Sequence, residues 1–224
     1  MQPLSLALIA AIGVSNLGAI LWSWGIARRG EKGRDLRTLR ERLPVVVGNT
    51  VALIVLSVAS VELFPTLFDP SWPGLPVVLG QLLLVTLADD AAFYWLHRWI
   101  HEHRALYNAV HRLHHRAVRP LPCDYLYAHP AEWGSVALFG PVTAFALLSL
   151  LTGVVSGPVL VLFQLLRTGH EVLIHSGAPS RVLRFVPMLA PNEHHARHHA
   201  APSGGNYGST FLFWDRLGRT VASR

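Results

Sequence analysis

The chain has 224 residues, enough for one domain, and only 14% are charged while 51% are hydrophobic; a soluble domain carries about 25% charged residues. That deficit excludes a surface facing water all round and predicts an all-α integral membrane protein. The single cysteine, Cys123, excludes an internal disulfide and a thiolate metal site, and the net charge of +6, with no nucleic-acid motif in view, points to topology and anionic headgroups rather than nucleic acid.

Leu4 to Ile26 is an apolar run long enough to span ~30 Å of hydrocarbon. No basic residue precedes it, and it ends in Trp22, Trp24, Arg28 and Arg29. It lacks the basic start and short core of a signal peptide, so the expectation is an uncleaved first span. Arg28 to Arg42 is arginine-rich, with Leu36, Leu39 and Leu43 at helical spacing, and predicts a helix lying on the membrane surface. The positive-inside rule places this segment in the cytoplasm.

Val45 to Phe64 is the expected second span, followed by a turn region rich in proline from Pro65 to Pro76. Leu75 to Leu96 is the third. It carries Asp89 and Asp90, and ionisable groups inside a span are expensive and usually functional. A carboxylate that accepts the spare N–H of a ligating imidazole would explain one of them. Tyr94 to Pro130 is then cytoplasmic. Val136–Leu151 and Val154–Leu166 are apolar but short and read as a hairpin or re-entrant pair. The expected architecture is therefore about four transmembrane helices, including a helical hairpin, with a cytoplasmic helical cap, in one domain over 1–224: spans and basic loop in 1–84, and the chemistry in 85–220.

All 13 histidines follow Leu96. Apart from His103 they read His97-x3-His101, His111-x2-His114-His115, His129, His170, His175 and His194-His195-x2-His198-His199. Residues i and i+4 of a helix differ by about 40° in azimuth, and i, i+3 and i+4 share a face. One pair and two triplets of imidazoles are thus expected to point inward. Imidazole is the commonest side-chain metal ligand, and an ion takes about four to six ligands, so this set suffices for two ions. Counting spans brings every histidine motif to the same membrane face. His170-Glu171-x3-His175 does not fit the H-E-x-x-H frame of zinc proteases, because i and i+5 diverge by about 140°. His103 reads as a solvated residue.

With their flanking residues these motifs resemble the fatty acid hydroxylase/sterol desaturase superfamily. Asp90 with Tyr94-Trp95-x-His97-Arg98 resembles its first box, His129-Pro130-x-Glu132 its His-Pro motif, and His175-Ser176-Gly177 the segment before its last box. Asn206-Tyr207-Gly208 and Trp214-Asp215-Arg216-Leu217-Gly218 resemble its C-terminal signature. The resemblance covers roughly residues 85 to 220. It implies a membrane-bound, O2-dependent di-iron oxidoreductase that hydroxylates or desaturates a sterol, carotenoid, sphingoid or fatty acyl lipid. His97, His101, His111, His114, His115, His195, His198 and His199 would be metal ligands, with His175 and His129 as further ligands. Asp90, Glu132 and Asp215 would be carboxylates that orient imidazoles. Two iron ions are implied as cofactors, with zinc as an occupant of purified protein.

Electrons would come from a separate donor, a ferredoxin, cytochrome b5-like protein or reductase. The implied location is a bacterial inner membrane or the endoplasmic reticulum, with the histidines on the cytoplasmic face. Phe93, Tyr94, Trp95 and Trp99 are candidates for lining lipid access, or for anchoring at the interface. Two other classes share the histidines: a membrane metal transporter or metal-binding protein without catalysis, which needs ligands in mid-membrane, and a zinc-dependent membrane hydrolase.

Overall fold

A computed structural model of the chain describes residues 1–179 and 188–222. Five long helices dominate: α1 (Pro3–Ala27), α2 (Leu36–Leu63), α3 (Leu75–Glu102), α4 (Pro130–Thr152) and α5 (Gly157–His175). The short α6 (Asn192–Ala200) and α7 (Leu212–Leu217) follow. Among the described residues, α1 to α4 are long and apolar enough to cross a membrane. The apolar composition and these helices make the chain an integral membrane protein.

The starts and stops follow from local chemistry. Proline lies in the first turn of α1, α3, α4 and α5, where its missing N–H costs nothing. Asp35 caps α2, accepting from the Thr38 amide at 2.8 Å. Gly153, with φ +79°, ends α4, and the next residues lead straight into α5. That is the expected hairpin.

Two of the expected elements differ. No separate surface helix covers 28–42: residues from Leu36 onward are already the first turns of α2, which runs unbroken through Pro44. The basic start of α2 is held to the loop beneath the bundle by the Arg42–Asp124 ion pair, so it is anchored by burial rather than laid on a surface. The third span does not stop at Leu96 either. It continues through Glu102, so the pair His97 and His101 rides on the same helix that crosses the membrane.

One end of the bundle is closed by Glu62, whose Oε1 accepts from Gln2 N at 2.8 Å and Ser5 Oγ at 2.7 Å. Beside it, the two-residue strands β1 (Phe68–Asp69) and β2 (Val155–Ser156) pair in parallel, and Gln81 bonds Val154 O and Ser156 N. The histidines sit at the opposite end. There the segment Leu121–Ala128 is drawn between α1, α2 and α5. Asn49 Nδ2 donates to Leu126 O (2.8 Å) and Ala128 O (3.0 Å), Tyr125 Oη donates to Asn16 Oδ1 (2.7 Å), and Cys123 N donates to Ser23 Oγ (3.0 Å). Asn16, Ser23 and Asn49, polar side chains inside spans, thus each have a partner in this segment, as a low-dielectric surrounding requires. Outward-facing Leu6, Val14, Leu17, Leu79 and Leu83 remain exposed, as expected of surface that meets lipid.

Candidate metal centre

Nine imidazoles collect into two groups of possible ligands. His97, His101, His111, His115 and His198 form the first, and His114, His175, His195 and His199 the second. All nine are buried except His101, which is half-buried. The two groups abut: the His199 ring of the second lies 4.9 Å from the His115 ring of the first, and the His114 ring of the second 5.5 Å from the His111 ring of the first, centroid to centroid.

The partition follows from helix geometry. His97/His101 and His111/His115 are i,i+4 pairs and both serve the first group. His195/His199 is an i,i+4 pair and serves the second. The i+3 member of each triplet crosses over: His114 goes to the second group and His198 to the first. On α6, at about 100° per residue, i+3 and i+4 lie on opposite sides of i, roughly 100° apart; His111–His115, which runs from a π-turn into a 3-10 turn, splits the same way. The sequence expectation that each triplet points one way is thereby corrected. The exchange of one ring in each direction interlocks the two groups.

The ring nitrogens fit metal ions. In the first group Nε2 of His97 lies 3.1 Å from that of His111 and 3.2 Å from those of His101 and His198; His115 Nε2 lies 3.0 Å from His111 and 3.2 Å from His101. In the second, His195 Nε2 lies 3.0 Å from His175 and 3.1 Å from His199. Two nitrogens held about 2.1 Å from one ion, at right angles, would be about 3.0 Å apart.

The outer nitrogens complete the argument. Nδ1 of His97 donates to Tyr207 O (2.7 Å), of His111 to Glu132 Oε1 (2.7 Å), of His114 to Tyr127 O (3.3 Å), of His175 to Glu171 O (2.8 Å) and of His198 to Gly205 O (2.9 Å). A neutral imidazole whose proton sits on Nδ1 has a bare lone pair on Nε2. For these five rings, three in the first group and two in the second, the lone pairs therefore face inward, an arrangement that repels itself unless a cation lies between. Protonation does not relieve it. Burial, and then the neighbouring imidazoles, push His111, His195, His198 and His199 well below the ordinary histidine value, and the same two causes, burial foremost, bring His114 down to about 3.

The remaining expected residues fall as follows. Glu132 orients His111, as expected. Asp215 bonds His194 Nε2 at 2.8 Å, and His194 belongs to neither group. Its carboxylate also accepts from Tyr207 N (2.9 Å), Gly208 N (2.8 Å) and Thr220 Oγ1 (2.7 Å). It therefore acts on the ligands through Tyr207, whose carbonyl holds His97. Burial works against the Asp215 charge, but these hydrogen bonds prevail and hold the carboxyl below the usual range.

Asp90 touches no imidazole. It accepts from Thr210 N (2.8 Å) and Phe211 N (3.0 Å), tying the C-terminal segment to α3. Asp89 likewise meets Arg167 (3.0 Å) rather than a ring. His129 is exposed and lies outside both groups; its Nδ1 accepts from Ala131 N at 3.1 Å, capping α4. His170 bonds Ser209 O at 2.9 Å, in keeping with the divergence of i and i+5. Of the four aromatics considered for access, Phe93 lines the cavity described below. Tyr94 is fully buried and bonds Thr220 Oγ1, whereas Trp95 and Trp99 face outward.

The Asn-Tyr-Gly motif has a backbone cause. Asn206 sits in the left-handed region at φ +61°, with its side chain bonding His194 O and Ala222 N. A Cβ at Gly208 would come within 2.8 Å of Asp215 Oδ2. Sequence reasoning missed Arg167 and Glu171 as a buried pair (3.0 Å). Glu171 is placed beside His175 and also accepts from Ser209 Oγ at 2.7 Å. A cavity of about 120 Å3 touches both groups through His97, His111, His114, His175 and His195, with Arg167 and Thr168 in its wall.

Residues 82–220 match the family model described as "Fatty acid hydroxylase". The chain is similar to methylsterol monooxygenase 1 of Danio rerio, 34% identical over 162 residues that cover 70% of this chain and 52% of that protein. It is 33% identical over 173 residues to methylsterol monooxygenase erg25A of Aspergillus fumigatus, covering 76% and 56%. A very-long-chain aldehyde decarbonylase, GL1-11, of Oryza sativa subsp. indica is 33% identical over 158 residues, covering 66% and 53%. The chain spans about half the length of these relatives. No solved structure matches it significantly.

Proposed function

Because the chain belongs to the fatty acid hydroxylase family, we propose that it is a di-iron, O2-dependent oxidoreductase of the membrane that hydroxylates or desaturates a C–H bond of a lipid. The observation that carries this reading is the gathering of nine imidazoles into two abutting groups at one end of a membrane bundle, five of them lining one cavity. Nitrogen donors alone suit iron, copper or zinc; redox chemistry on a lipid selects iron. A pair of iron ions bound there would supply the power to cleave a C–H bond, given O2 and two electrons.

The chain's own residues do the rest. Glu132 and the carbonyls of Tyr207, Tyr127, Glu171 and Gly205 keep the proton of His111, His97, His114, His175 and His198 on the outer nitrogen. Burial keeps the rings neutral and water out. Asp215 and Asp90 fix the segment that delivers two of those carbonyls. The electron donor is a separate ferredoxin, cytochrome b5-like protein or reductase that meets the histidine end. That end faces the cytoplasm, in a bacterial inner membrane or the endoplasmic reticulum. The relatives' names support a lipid substrate: two of them are methylsterol monooxygenases.

A metal-transport reading is less well supported, since it needs ligands part-way across the layer and both groups lie at one end. The test is metal analysis of protein produced with ample iron, together with lipid profiling of cells with and without the gene. About two irons per chain and an oxidised lipid dependent on His198 are expected. Less than one metal per chain, or a lipid profile indifferent to the gene, would overturn the reading.

A further inference from the structure

A groove of about 580 Å3 opens on the flank of the bundle between α2, α4 and α5. Its walls run from Phe64, Leu67 and Phe68, at the end remote from the histidines, to Trp133 and Gln164 near them. No charged residue lines it among the described residues, and Ser60 spends its hydroxyl on Leu56 O. Leu53, Trp133, Ala137, Pro141, Phe163 and Gln164 line both this groove and the cavity that touches the two imidazole groups. These six form a neck where the two spaces meet.

The neck is built by a defect in α4. Residues Leu138–Val142 form a π-turn around Pro141, the kind of bulge that recurs at functional sites. Gly140 seats this turn on α3, where any Cβ would run into the Asp89 carboxylate. Along α2, Leu53 to Phe64 spans about 16 Å at ~1.5 Å per residue, roughly half of the ~30 Å hydrocarbon layer.

We propose that the groove takes one hydrocarbon chain of a membrane lipid, threaded from the flank so that a carbon near one end passes the neck to the imidazoles, and that Trp133 and Ala137 decide what passes. The proposal rests on the oxygenase reading for the purpose of the site and adds the shape of the substrate. The groove lies within the ~300–1,000 Å3 typical of ligand sites. The cavity beyond the neck, at about 120 Å3, holds a short run of methylenes and not a fused ring system. Moving an alkyl chain from lipid into an apolar groove gains little hydrophobic free energy. Selection then depends on fit, and fit is tightest at the neck.

The test uses the metal-loaded protein in lipid nanodiscs that contain a stearoyl lipid with a diazirine near its chain end. After photolysis, adducts are mapped by mass spectrometry. Labelling is expected to concentrate on the groove and its neck, 53–68, 133–149 and 160–164, and to fall several-fold under excess unlabelled lipid. Ala137→Trp, which fills the neck, should abolish adducts at Phe163 and Gln164 while keeping those at Phe64 and Leu67. Ser149→Trp, in the outer wall, should reduce those at Phe64 and Leu67. Non-competable labelling spread equally over the outward face of α1 would overturn the proposal. So would a sterol-shaped diazirine probe that reaches Gln164 as efficiently as the stearoyl chain. Competable groove labelling with no oxidised product would sustain the groove and defeat the oxygenase reading instead.

Discussion

Glu132 and His111 are joined across 2.7 Å, carboxylate Oε1 to ring Nδ1, and both are buried. Glu132 lies on α4 and His111 at the end of a π-turn over Tyr107–His111, so this one bond fastens the second histidine motif to a membrane helix. Replacing Glu132 with Ala is expected to weaken metal binding in the first group about 10–100-fold, the usual cost of losing a partner behind a ligand. Gln, whose carbonyl still accepts the ring proton, should recover much of the loss. Titration with a competing chelator reads both; equal behaviour of Ala and Gln variants would count against the bond.

The crossed partition of the triplets gives a sharper test. His198→Ala is expected to empty the five-histidine group selectively, and His195→Ala the four-histidine group, each lowering bound metal from about two ions to about one. Metal analysis with absorption spectroscopy distinguishes the two half-loaded forms. If His198→Ala and His199→Ala gave the same residual species, adjacent histidines would be serving the same ion and the partition would be wrong.

His129 should behave as a cap and not as a ligand. His129→Ala is expected to leave metal content unchanged and to lower stability by about 1 kcal/mol, the typical cost of a lost N-cap, seen as a small fall in melting temperature. A loss of one metal on this substitution would return His129 to the site.

The imidazoles also predict the response to acid. His114 falls to about 3 in the folded chain, first through burial and then through neighbouring rings, against about 6.5 when unfolded. With the folded value lower, the unfolded chain binds the proton first as pH drops. The stability contributed by the neutral ring is therefore full above about 6.5 and is lost between there and about 3. Metal-stripped protein should melt at progressively lower temperature as pH is taken from 7.5 to 5, and metal should dissociate over the same descent. A melting temperature that rose on acidification would contradict this.

How much of this was legible beforehand depends on what each contact is made of. The grouping of rings was legible because imidazole is rare and its spacing is periodic: eight of the nine grouped rings lie in the three box motifs, and His175 in the His-Ser-Gly segment. The division between groups was not, because His114 and His115 are neighbours in the chain and only the turn geometry sends them apart. The carbonyls of Tyr207, Gly205 and Tyr127 left no trace, since every residue carries a carbonyl and only the fold selects which one faces a ring. Asp90 stood out as an acid inside a span and Asp215 as part of the C-terminal signature, but Asp90 meets the backbone amides of Thr210 and Phe211, and Asp215 those of Tyr207 and Gly208 beside His194 and Thr220. The start of α2 was misplaced because its basic first turns look amphipathic, while the buried Arg42–Asp124 pair that anchors them joins residues far apart in sequence.

The Tyr207 and Gly205 carbonyls fasten His97 and His198, and Asp215 fastens Tyr207 in turn. These parts come from the final stretch of the chain, whereas His97 lies on a helix made long before. During synthesis α3 is complete before the residues that fasten its rings exist. The site acquires its shape only after residue 215 has been synthesised and folded back. On the di-iron reading, metal capture is therefore expected to come late in biogenesis, and a nascent chain stalled before that residue to remain empty however much iron the cell supplied.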